Sequence, residues 1–236
     1  MNRLVTLILA VALGISPAYG SDYVGEINSF KGDVKVYSRG SVQGTQVEEE
    51  GFKLFVHDIV KTKRNALAHV SFTDGSKAVL KERSTLEIEG VRGLNVQGGK
   101  VLFSIKKRGR LKGVIVKAKS VVIGIKGTKF LIDQSSEKLN IFLKEGILSI
   151  QAEEGEFVRY SKVEKDQFES YKDSELGEFD KYKEKMGDEF KEFVKEFEMS
   201  AGAAISVDGN VVRDIGISPE IEEEFKLLDD GGSGEI

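Results

Sequence analysis

From about Val34 to Ile150 the chain alternates apolar and polar residues in short runs, and glycine interrupts it repeatedly. A period of two belongs to the β-strand, where successive side chains point to opposite faces. Val34 and Val36 open the pattern, and Val42 lies among Gly32, Gly40 and Gly44. Leu67, Val70 and Phe72 lead into Asp74-Gly75, a hairpin signal, and Val79-Leu80 follow it. Leu86 and Ile88 alternate with Glu87 and Glu89, and Val101, Phe103 and Ile105 come next. Val114 to Lys119, Val121 to Ile125 and Phe130 to Ile132 continue the pattern, then Leu139, Ile141 and Leu143. Gly146 then turns the chain into Ile147, Leu148 and Ile150. With 26 Gly and only 2 Pro, the segments are joined by tight turns. The pattern predicts about ten strands or more and a mainly β fold. An antiparallel β-sandwich or a roll-like stack of short strands satisfies it.

The second half changes period. Phe168, Tyr171, Phe179, Tyr182, Met186, Phe190, Phe193 and Phe197 fall mostly three or four apart among acids and lysines. This spacing predicts an amphipathic helix over about 162–199, broken near Gly177 or Gly187. Its aromatic stripe would pack on the β domain or receive a partner. Ile205 to Val212 around Asp208-Gly209-Asn210 predicts a small hairpin. Ser218-Pro219 starts a short helix to Leu228, with Ile221, Phe225 and Leu228 on one face, and a loose acidic tail follows. The expected organisation is therefore 1–20 leader, 21–152 β domain, 153–200 acidic helical segment, and 201–236 hairpin, helix and tail.

Charge divides the chain as sharply. Residues 21–150 hold 23 Lys+Arg against 14 Asp+Glu, and residues 151–236 hold 11 against 25, so +9 faces -14. The halves should attract, with the helix of about 162–199 docked on the β domain and its acids near part of the basic strip. No acid occurs in the 43 residues 90–132, which carry 11 cations. Lys106, Lys107, Arg108, Arg110, Lys112, Lys117 and Lys119 are the candidate anion-binding strip, with Lys117 and Lys119 expected on one strand face.

The order of short motifs resembles the FecR periplasmic-domain family over about residues 25–152. Gly32-Asp33-Val34 is similar to its opening turn-to-strand. Asp58-Ile59-Val60-Lys61-Thr62 resembles its Gly-Asp-x-Val-x-Thr segment, with His57 where the family usually has Gly. Ala68 to Leu80, centred on Asp74-Gly75-Ser76, resembles its Asp-Gly-Ser hairpin, and Gly99-Lys100-Val101 a later strand start. Val116-Lys117-Ala118 with Gly127-Thr128-Lys129-Phe130 resembles the Gly-Thr-x-Phe signature, and Lys144-Glu145-Gly146-Ile147-Leu148 the closing hairpin. The resemblance implies an all-β fold and a sensing role in the bacterial envelope. It gives Asp58, Thr62, Asp74, Gly75, Ser76, Gly127, Thr128, Phe130 and Gly146 structural parts. Family members that control a sigma factor carry an anti-sigma segment and a spanning helix before the β domain. Here the β pattern begins soon after Ser21, so the resemblance implies a binding or scaffolding module without that segment.

The chemistry points away from catalysis. There is no Cys, and the two His have no metal-ligand spacing. Gly93 and Gly98 are not followed by the Lys that a phosphate-binding loop needs. His57 and Asp58 are neighbours on an extended chain, which separates a base from its orienting acid. Asp208-Gly209-Asn210 and the tail acids complete no calcium loop. Paired carboxylates of a glycosidase, about 5–9.5 Å apart, need a cleft, and without Trp there is no indole sugar platform. The expectation is a non-catalytic envelope module, periplasmic or secreted, with no cofactor and no metal. Its expected partner is an envelope protein. An anionic glycan or lipid head group held by the basic strip is the alternative, and an envelope hydrolase the second. Nucleic acid is not expected, because Arg3, the apolar run Leu4 to Ile15 and Ala18-x-Gly20 form an export signal. That run falls short of the about 20 apolar residues that span a membrane. Mass spectrometry of the envelope fraction should show Ser21 as the N-terminus; intact Met1 on membrane-bound protein would contradict the signal.

Overall fold

The structure, a computed structural model, describes residues 22–107, 113–162 and 189–229. The expected leader lies outside them. The described residues form nineteen strands in two layers. Sheet A runs β4 (Phe52–Phe55), β1 (Tyr23–Lys31), β6 (Leu67–Phe72), β7 (Lys77–Leu80), β9 (Gly93–Ile105) and β12 (Thr128–Gln134). It continues through β13 (Leu139–Glu145), β18 (Ala204–Asp208), β19 (Val211–Ile215), β15 (Phe157–Lys162) and β16 (Glu189–Val194). Sheet B runs β3 (Thr45–Gln46), β2 (Val34–Tyr37), β5 (Ile59–Thr62), β8 (Thr85–Gly90) and β9 again. It ends with β10 (Val114–Ala118), β11 (Val121–Ile125), β14 (Ile147–Ala152) and β17 (Glu196–Ser200). The mainly β expectation holds, and the chain crosses between layers again and again, as in a roll.

β9 belongs to both layers. Its first half pairs with β8 and β10 in sheet B, and its second half with β7 and β12 in sheet A. The change falls at Gly98-Gly99. Gly99 has φ +79, and a Cβ there would stand 2.4 Å from Ser84 Oγ, so only glycine fits. Ser84 is buried and clasps the next residue: its Oγ accepts from Lys100 N at 3.0 Å and donates to Lys100 O at 2.9 Å.

Gly146 differs from the expected closing hairpin. β13 lies in sheet A and β14 in sheet B, so Glu145-Gly146-Ile147 is a corner between layers. One residue at φ +93 is too short a link for a two-residue hairpin turn and instead swings the strand across. The inward residues of both sheets, among them Ile27, Leu54, Leu86, Phe103, Ile123, Phe130 and Leu148, make one core. Phe103 and Phe130 stack there with ring centroids 5.0 Å apart.

The long helix expected over about 162–199 is not found at residues 189–200, where β16 and β17 are strands. Residues 163–188 lie outside the described residues. In β17 the run Glu196-Phe197-Glu198-Met199-Ser200 buries Phe197 and Met199 and exposes the residues between. A strict period of two over five residues prevails over looser three-and-four spacing, because β14 offers a strand edge for pairing. The small hairpin is present as β18 and β19, with Gly209 at φ +60 in its turn. The short helix is present as α1 (Pro219–Glu224), with Pro in the first turn, running into a 3₁₀ turn at Phe225–Leu228.

Two variants test this core. Phe130→Ala should cost about 3–5 kcal/mol and lower the melting temperature sharply. His57 sits at φ +73, which costs a non-glycine residue roughly 1–2 kcal/mol. Denaturant titration should therefore find His57→Gly more stable by about 0.5–1 kcal/mol, after the entropy of glycine is subtracted.

Candidate functional site

The triplets Val101-Leu102-Phe103, Phe130-Leu131-Ile132 and Ile141-Phe142-Leu143 are buried on both strand faces. Their middle residues point out of the sandwich. Cross-strand register aligns them in one row, Val79–Leu102–Leu131–Phe142–Ala204, over five adjacent strands of sheet A. Phe225 and Leu228 of the C-terminal segment bury themselves on this row, with Ile221 and Leu227 beside them.

Lysines flank the row. On one side Lys81 and Lys100 reach Glu224 Oε1, at 2.9 Å and 3.2 Å. Lys100 also pairs with Asp133 at 3.5 Å. Burial alone would lower the pKa of Lys100, but the hydrogen bonds and charges of Glu224 and Asp133 outweigh it and raise it. On the other side Lys129 pairs with Asp229 at 3.7 Å, and the Lys144 ammonium lies 5.4 Å from the Phe225 ring centre. Glu224 Oε2 is buried and makes no hydrogen bond. The expected docking of a 162–199 helix is not what joins the charged halves here: residues 163–188 lie outside the described residues, and the contacts found include Glu224 and Asp229 on Lys81, Lys100 and Lys129. The residues responsible were not picked out as a site from the sequence. The signal that could have found them is the loss of alternation in the three apolar triplets, since a sheet covered on both faces reads as a continuous apolar run.

The candidate basic strip is dispersed. Arg108, Arg110 and Lys112 lie outside the described residues. Lys117 pairs with Glu89 at 3.2 Å. Lys119 does not share a strand face with Lys117, because β10 ends at Ala118 and Lys119 turns at φ +50. Its ammonium donates to the carbonyls of Ser136 and Glu137. Lys106 and Lys107 are exposed at the end of β9. A Cβ at Gly127 would meet Lys107 Cβ at 2.7 Å, which brings Lys107 next to exposed Lys126. Strands that switch layers send neighbours in sequence to different surfaces.

The motif residues hold turns. Asp58 is buried and accepts from Phe55 N at 2.9 Å; burial raises its pKa against the lowering effect of the Phe55 N–H and Ser38. Thr62 Oγ1 donates to Lys81 O and accepts from Ser84 N at 2.9 Å. Asp74 takes the backbone N–H of Ser76 at 2.8 Å and its hydroxyl at 3.0 Å, while Gly75 turns at φ +78. Lys106 N donates to the buried Ser76 Oγ, so this serine ties the hairpin to β9. Thr128 is buried beside the Gly127 turn, and its hydroxyl makes no hydrogen bond. Among the described residues no group of three or more His, Cys, Asp or Glu is placed to hold a metal ion. A cleft between Val24, Phe72, Asp74, Ile88, Arg92 and Val114 holds about 20 Å³, room for about one water. No described helix is long and apolar enough to cross a membrane.

Comparison with known proteins gives the family. No curated protein matches the chain. Two crystal structures of a candidate anti-sigma factor from Parabacteroides distasonis are similar at a TM-score of 0.47 and 10% identity. The match covers 69% of this chain and 61% of that one. The family model described as FecR protein matches residues 58–149, a span that holds every quoted motif except Gly32-Asp33-Val34. The chain carries a FecR domain over these residues.

Proposed function

We propose that this chain is an exported, non-catalytic interaction module of the bacterial envelope, placed in the periplasm, that senses or scaffolds by contact with another envelope protein. The FecR domain over residues 58–149 carries this reading. The way its motif side chains are used supports it. Asp58, Thr62, Asp74 and Ser76 close turns within the fold, which leaves surface for contact in place of chemistry.

A second reading, an anionic glycan or lipid head group, has one specific observation behind it. Lys106, Lys107 and Lys126 are exposed, and no ion pair occupies them among the described residues. Such a patch would bind through its field and would be screened by salt.

One experiment separates the two. Residues 21–236, immobilised, are exposed to envelope extract and separately to lipopolysaccharide, at low and high salt. A discrete protein retained at high salt, equally by the Lys106→Glu, Lys107→Glu, Lys126→Glu triple variant, is the expected result. Salt-sensitive retention of lipopolysaccharide that the triple variant loses, with no protein captured, would replace the first reading by the second.

A further inference from the structure

We propose that the outer edge of β17 is a pairing site for an extended, basic segment of a partner protein, which joins sheet B as one further strand. The inference rests on the reading of the chain as a contact module. Its probe is a synthetic strand, so it can fail while capture of an envelope protein succeeds.

The backbone defines the site. β17 pairs with β14 in unbroken register over five residues, and among the described residues no strand pairs with its other side. The Ala152 N–H donates to Lys195 O at 3.0 Å, one residue before the strand. Hydrogen-bonded pairs alternate along an antiparallel ladder, so Phe197 and Met199 are the residues that exchange bonds with β14. The N–H and C=O groups of Glu196 and Glu198 therefore point away from β14, into the open edge. Proteins guard such an edge with a bulge, a proline or a lysine. Within β17 there is none of these, and its nearest lysine, Lys195, stands at the corner before it. By contrast β3 has only two residues, and at β4 the Asp58 carboxylate takes the Phe55 N–H at 2.9 Å.

The side chains define the occupant. Phe197 and Met199 are buried in the core, and Glu196 and Glu198 stand exposed on the outer face. Ser149 Oγ donates to Glu196 Oε1 at 2.5 Å, which holds that carboxylate over sheet B. Glu198 lies opposite Ser149 in the register. A strand added alongside would place its outward Cβ atoms about 4.5–5.5 Å from those of the two acids. Lysine or arginine at alternate positions fits there, and a further acid does not. The residues between them would extend the inward row of Phe197 and Met199, which suits apolar side chains. Main-chain bonds then supply the affinity, and the alternate side chains supply the selection. Like charge turns away acidic strands at the same place.

The test is a titration of the isotope-labelled chain, residues 21–236, read by NMR. The probe is the peptide Lys-Val-Lys-Val-Lys-Val-Lys, and Glu-Val-Glu-Val-Glu-Val-Glu is its counterpart. The basic peptide should shift the amides of Glu196 and Glu198 and slow their hydrogen exchange. It should bind at least about tenfold more tightly than the acidic one. Methylating its backbone N–H groups should abolish binding, which a purely electrostatic contact would survive. Glu198→Pro removes one outward N–H and none that β14 uses, a place where an edge strand tolerates proline. This variant should keep its melting temperature within a few degrees and lose the peptide. Glu196→Lys with Glu198→Lys should reverse the preference between the two peptides. No shift at β17 with the basic peptide, shifts centred on another surface, equal binding of both peptides, undiminished binding by a folded Glu198→Pro variant, or an unchanged preference in the double variant would each overturn the proposal.

Discussion

The two sheets share one strand, β9, and the clasp at Ser84 is what lets that strand serve both. β9 leaves sheet B at Gly98 and enters sheet A at Gly99, where a side chain would collide with Ser84 Oγ. The hydroxyl accepts from Lys100 N and shares Lys100 O with the Lys81 N–H. Thr62 holds the same corner from the other side through Lys81 O and Ser84 N. A buried backbone bend without such partners would leave polar groups unpaired, each at a cost of about 1–3 kcal/mol. The apolar core on either side is wide, but it needs this corner to bring the two inner faces together.

Local rules made much of the fold legible. Alternation around Leu86 and Ile88 is strand pairing in sheet B, and Asp74-Gly75 is a hairpin turn. Pro219 and the apolar spacing to Leu228 describe the last helix well. The failures share a cause. Gly146 signals a turn, but whether the turn returns to the same sheet or crosses to the other depends on distant partners such as β17 and β18. The aromatic spacing around Phe190, Phe193 and Phe197 looks helical until the edges of β15 and β14 are known. The lysines from 100 to 129 are close in sequence and distant on the surface for the same reason. Of the residues that the family resemblance marked, Asp58, Asp74, Gly75, Ser76, Gly127 and Gly146 were legible as turn-formers, and their hydrogen bonds or backbone angles explain them, while Phe130 fills the core.

The net charge of -4 conceals a structural arrangement. Cations on the outer face of sheet A meet acids of α1 and of the turn that follows it. Such partly exposed pairs contribute about 0–1 kcal/mol each, so burial of Phe225 and Leu228 supplies more of the docking energy. The charges fix where the segment lands and in which direction it runs.

The ladder pairing of β13 with β18 and of β14 with β17 reaches beyond the FecR match. Without the later strands, β13 and β14 would both present rows of free N–H and C=O groups along apolar sequence. Bare edges of that kind recruit strands from neighbouring molecules. Residues 196–208 thus move both borders: β18 carries sheet A on to β19, and β17 becomes the selvedge of sheet B, a short edge whose exposed Glu196 and Glu198 repel the same edge of a neighbouring copy.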